Sequence, residues 1–203
     1  QIEVTSESLP PIRGAHVEGP VISPEKRGAQ SAEFIVEPRA ELVERLLEEA
    51  PAIRRVTLAP EVPGALDLIA RLTNSGIAVS GGHSNAWDDE ARAAFARGMH
   101  QVTHTFNCMS SLRRRAGKRV AGLLEFALSE PQIFCELIAD GHHVATTLMR
   151  MLYRAKGAAG ICLVTDATAG AGLPNESRFL LGGAECLVRD GACWVADGAA
   201  LAG

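Results

Sequence analysis

Glu18, His83 and His104 offer one carboxylate and two imidazoles, each at or just past the end of a short apolar run. Three such donors suit a divalent ion that keeps a position open for water or a substrate. Their separations, 65 residues and then 21, are too long for a local zinc knuckle. Only a fold that gathers the ends of several strands brings them together. Asp166 follows the apolar run GICLVT and is expected at the same rim. A carboxylate there can take a proton from water and return it to a leaving group. The competing reading of each histidine is a half-buried structural imidazole, and that of Asp166 is a cap on the turn-like DATAG.

Other candidates are weaker by spacing alone. His142 and His143 are adjacent, so at most one is expected to face a shared pocket. His100 precedes a strand and reads as structural. Arg113, Arg114, Arg115, Lys118 and Arg119 form the one dense basic cluster, expected on a loop after a strand end. It suits either a bidentate phosphate grip or a solvated turn.

The elements that would position these groups alternate. Short apolar runs at residues 14–18, 55–58, 77–80, 101–105, 134–139 and 160–165 read as strands, each ended by a polar or Gly/Pro signal. Helical patterns lie between them, such as ELVERLLEEA, where Leu42, Val43, Leu46 and Leu47 share one face. This βαβα order predicts an α/β fold with a parallel sheet and helices outside. An open doubly wound sheet would announce a Gly-rich phosphate turn, and neither GxGxxG nor GxxxxGK[ST] occurs. A (β/α)8 TIM barrel of the metal-dependent hydrolase type puts polar residues at strand end after strand end, as here, with about six of its eight βα units in this chain. Residues 179–198 break the pattern and read as a β-hairpin turning at Asp190-Gly191.

Composition bounds the function. The chain has 203 residues, 20 Lys+Arg against 24 Asp+Glu and a net charge of −4, which removes nucleic-acid binding led by charge. No run nears the roughly 18–20 apolar residues of a membrane span, and the N-terminus lacks the pattern of a signal peptide. Five cysteines without a CxxC pair read as free thiols of a reducing, cytoplasmic compartment. The first residue is Gln, so the gene is not expected to begin here.

The segments GAHVEGP, KRGAQ, TLAPE, GHSNA, THTFNCM, IADGHHV and VTDA occur in that order over nearly the whole chain. Together they resemble the N-acetylglucosamine-6-phosphate deacetylases of the amidohydrolase superfamily. The resemblance implies hydrolysis of the acetamide of N-acetyl-D-glucosamine 6-phosphate in amino-sugar catabolism. It implies Glu18, His83 and His104 as metal ligands, Asp166 as general acid/base and His143 near the acyl carbonyl. Ala29, Gln30, Asn107 and Cys108 would line the sugar site, with Leu201, Ala202 and Gly203 bordering it. Arg115, with Arg114 as the alternative, would hold the phosphate, reaching in from a neighbouring subunit of a homodimer or homotetramer. Zinc is the expected ion, with iron or another divalent metal as alternatives, and one or two ions both fit.

The departures from the family pattern are specific. Gln30 stands where an imidazole is usual, and Cys108 where an alanine is usual. The family's first barrel strand, with its HxH pair, and its small flanking β-sandwich have no counterpart, so residues 1–203 match the barrel portion. Two rival readings remain: an amidohydrolase acting on another N-acyl sugar or a cyclic amide, and an inactive barrel fragment or partner-binding module.

Overall fold

In a computed structural model the described residues are 11–49, 51–196, 198 and 200–202. The apolar runs form β1 (Ala15–Glu18), β2 (Ile53–Leu58), β3 (Ala78–Gly81) and β4 (Met99–Val102). Between them lie α1 (Ala40–Glu48), α2 (Ala65–Asn74) and α3 (Asp88–Phe95). A short antiparallel pair, β5 (Arg113–Arg115) and β6 (Lys118–Val120), precedes α4 (Leu123–Ser129). The main sheet resumes with β7 (Phe134–Ile138), α5 (Thr146–Lys156) and β8 (Ile161–Val164). Beyond it come β9 (Arg178–Leu181), β10 (Ala184–Arg189) and β11 (Ala192–Val195), a separate three-stranded antiparallel sheet.

The six-stranded sheet runs β1-β2-β3-β4-β7-β8, all parallel, and the order never reverses. Right-handed crossovers between successive neighbours place every helix on the same face. This excludes the doubly wound alternative, whose strand order must reverse at a switch point. The helix-facing side is apolar: Val56, Leu58, Val79, Val102 and Cys135 are buried in one core with Leu68, Leu72, Ala91, Leu123 and Leu152. The other face is polar and internally bonded. His16 Nε2 lies 2.7 Å from the Thr57 hydroxyl, which with Ser80 flanks the Thr103 hydroxyl at 2.6 Å each. Arg55 pairs there with the buried Glu136 carboxylate. A buried charge is tolerable only when partnered in this way.

Three local differences from the sequence expectations have physical causes. The fourth strand ends at Val102 rather than Thr105, because His104 adopts a positive φ of 33° and turns the chain out of the sheet. The basic cluster is a hairpin rather than a loop, since Ala116 (φ 49°) and Gly117 (φ 81°) make the left-handed pair that a two-residue hairpin turn needs. The region expected as a hairpin has a third strand, β9, joined to β10 by Gly182-Gly183 with the same pair of positive φ values. No helix among the described residues is long and apolar enough to cross a membrane.

Gly122 shows how closely the layers approach. It starts α4 against Ser110, whose hydroxyl accepts from the Leu123 N–H at 2.9 Å. A Cβ at Gly122 would lie 2.7 Å from the Ser110 carbonyl carbon. Gly122→Ala is therefore expected to destabilise the fold by about 1–3 kcal/mol. A thermal melt checks this, and an unchanged midpoint would contradict the packing described.

Candidate metal centre and active site

Glu18 ends β1, while His83 and His104 lie two residues beyond β3 and β4. Parallel strands in register bring these carboxyl ends to one mouth. Glu18 Oε1 lies 2.6 Å from His83 Nε2 and 3.4 Å from His104 Nε2, and the two Nε2 atoms are 3.0 Å apart. Their rings meet edge to face at an interplanar angle of 81°. Both histidines are buried, 5% and 4% exposed, on residues with positive φ.

Hydrogen bonding orients the trio. His83 Nδ1 donates to the Lys26 carbonyl at 2.8 Å, which turns Nε2 toward Glu18. His104 Nδ1 is buried without a partner, and Glu136 Oε2 accepts from the His104 N–H at 3.4 Å. Burial opposes charge on His83, but Cys108 and Glu18 together raise its pKa. Burial likewise opposes ionisation of Glu18, yet the two imidazoles hold it well below the carboxylate range. The trio thus draws positive charge into its centre. Donors about 2.0–2.1 Å from a zinc ion stand about 3.3 Å apart at tetrahedral angles, close to the spacings observed. The residues therefore fit a divalent cation, and among the described residues this is the group of donors so arranged.

The trio opens on a cavity of about 450 Å³. The structure brings Ala29, Gln30, Asn107, Cys108, His143, Asp166, Leu201 and Ala202 to its walls. Gln30 Nε2 donates to Glu18 Oε1 at 3.4 Å. Asp166, two residues past β8 and exposed, has a φ of 51° that turns it from the strand toward the mouth. Of the adjacent pair, His143 lines the cavity and His142 does not. His100 lies within β4, its ring against Phe95 at 4.9 Å.

Arg115 does not line this cavity. Its guanidinium pairs with Asp89 at 3.1 Å, and Arg113 lies 3.7 Å over the Trp87 ring. Arg114 donates to the Gly117 carbonyl of its own hairpin. Gly203 lies outside the described residues. Glu61 of the TLAPE segment does not line this cavity, and its carboxylate accepts from the Ser84 hydroxyl at 2.7 Å. Sequence reasoning missed Thr168, Leu181 and Gly182 on the wall. Leu181 and Gly182 arrive on the β9–β10 turn, and nothing in their composition signals that turn's destination.

A singly wound parallel sheet whose strand ends carry a cation-ready carboxylate and two imidazoles defines an α/β protein with the geometry of a metal site. No protein-family model matches the chain. It is 35% identical over 193 residues to the N-acetylglucosamine-6-phosphate deacetylase of Lysinibacillus sphaericus, covering 95% of this chain and 48% of the relative. It is equally 35% identical to the N-acetylgalactosamine-6-phosphate deacetylase of Escherichia coli, with coverage of 92% and 48%. A mutant N-acetyl-D-glucosamine-6-phosphate deacetylase of Mycobacterium smegmatis, solved in complex with N-acetyl-D-glucosamine-6-phosphate, superposes with a TM-score of 0.87 at 33% identity, covering 94% of this chain and 49% of that one. The chain is thus similar to N-acetylglucosamine-6-phosphate deacetylases over nearly its whole length and spans about half the length of the curated relatives it matches.

Proposed function

We propose that this chain carries the metal site and the acid/base group of a deacetylase that converts N-acetyl-D-glucosamine 6-phosphate to D-glucosamine 6-phosphate and acetate. The observation that carries the reading is the convergence of Glu18, His83, His104 and Asp166 on one cavity. Glu18, His83 and His104 would hold a divalent ion, zinc by its donor set, which when bound would supply Lewis acidity toward water and the acyl oxygen. Asp166 accepts the proton of the attacking water and returns it to the sugar nitrogen as the C–N bond breaks and acetate leaves. His143 faces the acyl oxygen. Gln30, Ala29, Asn107 and Cys108 border the sugar, with Leu201 and Ala202 closing over it.

The six βα units are, in this reading, part of a (β/α)8 barrel, and residues 1–203 belong to its catalytic domain. The two edge strands support it: β8 carries Leu163 at 71% exposure, and β1 and β8 each pair on one side within the sheet. Arg115, turned from its own cavity, is assigned to the phosphate of a substrate held by a second copy of the chain. Five free thiols fit a cytoplasmic enzyme. The relative named for N-acetylgalactosamine 6-phosphate makes that epimer the second reading.

Acetate release from the two 6-phosphates and from unphosphorylated N-acetylglucosamine separates these possibilities. The expected result is a kcat/KM highest for N-acetyl-D-glucosamine 6-phosphate and sharply lower without phosphate. A preference for the galacto epimer would favour the second reading, and indifference to phosphate would remove both.

A further inference from the structure

We infer that Asp140 is a positioning residue: it keeps a hydrogen on Nδ1 of His143 and turns Nε2 into the cavity, so that His143 donates from Nε2 only as an imidazolium. The catalytic consequence rests on the deacetylase reading above; the ring state does not.

The loop after β7 is built around one carboxylate. Gly141, with a φ of 86°, bends the chain so that Asp140 Oδ1 accepts from the N–H groups of His142 at 2.9 Å and His143 at 3.0 Å. Asp140 Oδ2 faces His143 Nδ1 at 2.6 Å. Burial raises the Asp140 pKa, but the donations from His143 and His142 and the charge of the His143 ring together outweigh it and hold the group at about 2. An ionised carboxylate only accepts, so the hydrogen of the 2.6 Å contact belongs to Nδ1. The His143 side chain is 7% exposed, and the ring lines the cavity.

The consequence is chemical. With Nδ1 protonated, a neutral ring offers a bare lone pair at Nε2, which cannot donate to an oxygen gaining negative charge. A donor at Nε2 requires a second proton and hence a cation. The Asp140 carboxylate would be the counter-charge of that cation, and the other titratable groups on the cavity wall are Glu18, His83, His104, Cys108 and Asp166. Without that counter-charge an imidazolium would be repelled by any cation held at the trio.

The test reads the ring directly. In ¹⁵N-labelled protein, with His143 assigned by loss of its signals in His143→Gln, long-range ¹H–¹⁵N spectra are expected to show Nδ1 protonated. In Asp140→Asn the amide Oδ1 still accepts from the two backbone N–H groups, which leaves the NH₂ facing Nδ1. The ring hydrogen should then sit on Nε2, with Nδ1 bare. Turnover is expected to fall about 10- to 100-fold, an effect of the size that outer-shell partners of metal-ligating histidines have, with KM changed far less and metal content and melting midpoint unchanged. An Nδ1 that is bare in the parent, or a ring state identical in parent and Asp140→Asn, would overturn the inference. A ring that switches as described in a protein that releases no acetate supports the inference and overturns the deacetylase reading alone.

Discussion

Replacing Asp166 by Asn should lower turnover by about 10²- to 10⁴-fold, the span attributable to a positioned general acid/base, while leaving the metal content of the protein unchanged. The two side chains have nearly the same shape, so the mouth of the sheet need not move. Asp166 stands beyond β8, at the wall of the cavity but outside the Glu18, His83 and His104 cluster. An amide cannot accept the water proton or return it to the sugar nitrogen. Steady-state acetate release alongside elemental analysis checks both halves of the expectation. Normal turnover in the variant would remove Asp166 from the mechanism, and loss of metal would make it a ligand instead.

The second large effect is expected at the trio itself. His104→Ala should reduce retained metal to a small fraction of the parent value, with affinity lost beyond the roughly 10- to 100-fold that follows from losing a partner of a ligand. The fold should survive, because the helix-facing core of Val56, Val79, Val102 and Leu123 does not involve His104. Glu18→Gln isolates the role of charge: it keeps an oxygen 2.6 Å from His83 but removes the anion that draws positive charge to the centre. Dialysis against metal-free buffer followed by elemental analysis reads both variants, with far-UV circular dichroism as the folding control. Full metal retention in His104→Ala would place the ion elsewhere.

Much of this site was legible before the fold was known, for a physical reason. In a parallel sheet each strand ends its apolar run where it reaches the same mouth, so Glu18, His83, His104, His143 and Asp166 advertise themselves as polar residues at or after such runs. The helix on residues 40–48 was equally plain, because Val43 and Leu46 repeat at the spacing of one buried face. What was illegible depends on contacts distant in sequence. Leu181 and Gly182 reach the cavity on a turn between antiparallel strands, and their apolar and small side chains carry no chemical mark. The basic hairpin depends on left-handed conformations at Ala116 and Gly117, and Ala is an uncommon residue for that geometry. The pairing of Asp140 with His143 is local, only three residues apart, but it requires the loop geometry before the shared proton can be assigned.

The central claim is that a metal-bearing trio and Asp166 form one deacetylating site. The most direct measurement combines elemental analysis of the purified protein with acetate release from N-acetyl-D-glucosamine 6-phosphate in the same sample. Near-stoichiometric divalent metal with phosphate-dependent release is the predicted result. Metal-free protein that releases acetate at the same rate, or metal-loaded protein of the same length as its relatives that releases none, would contradict it.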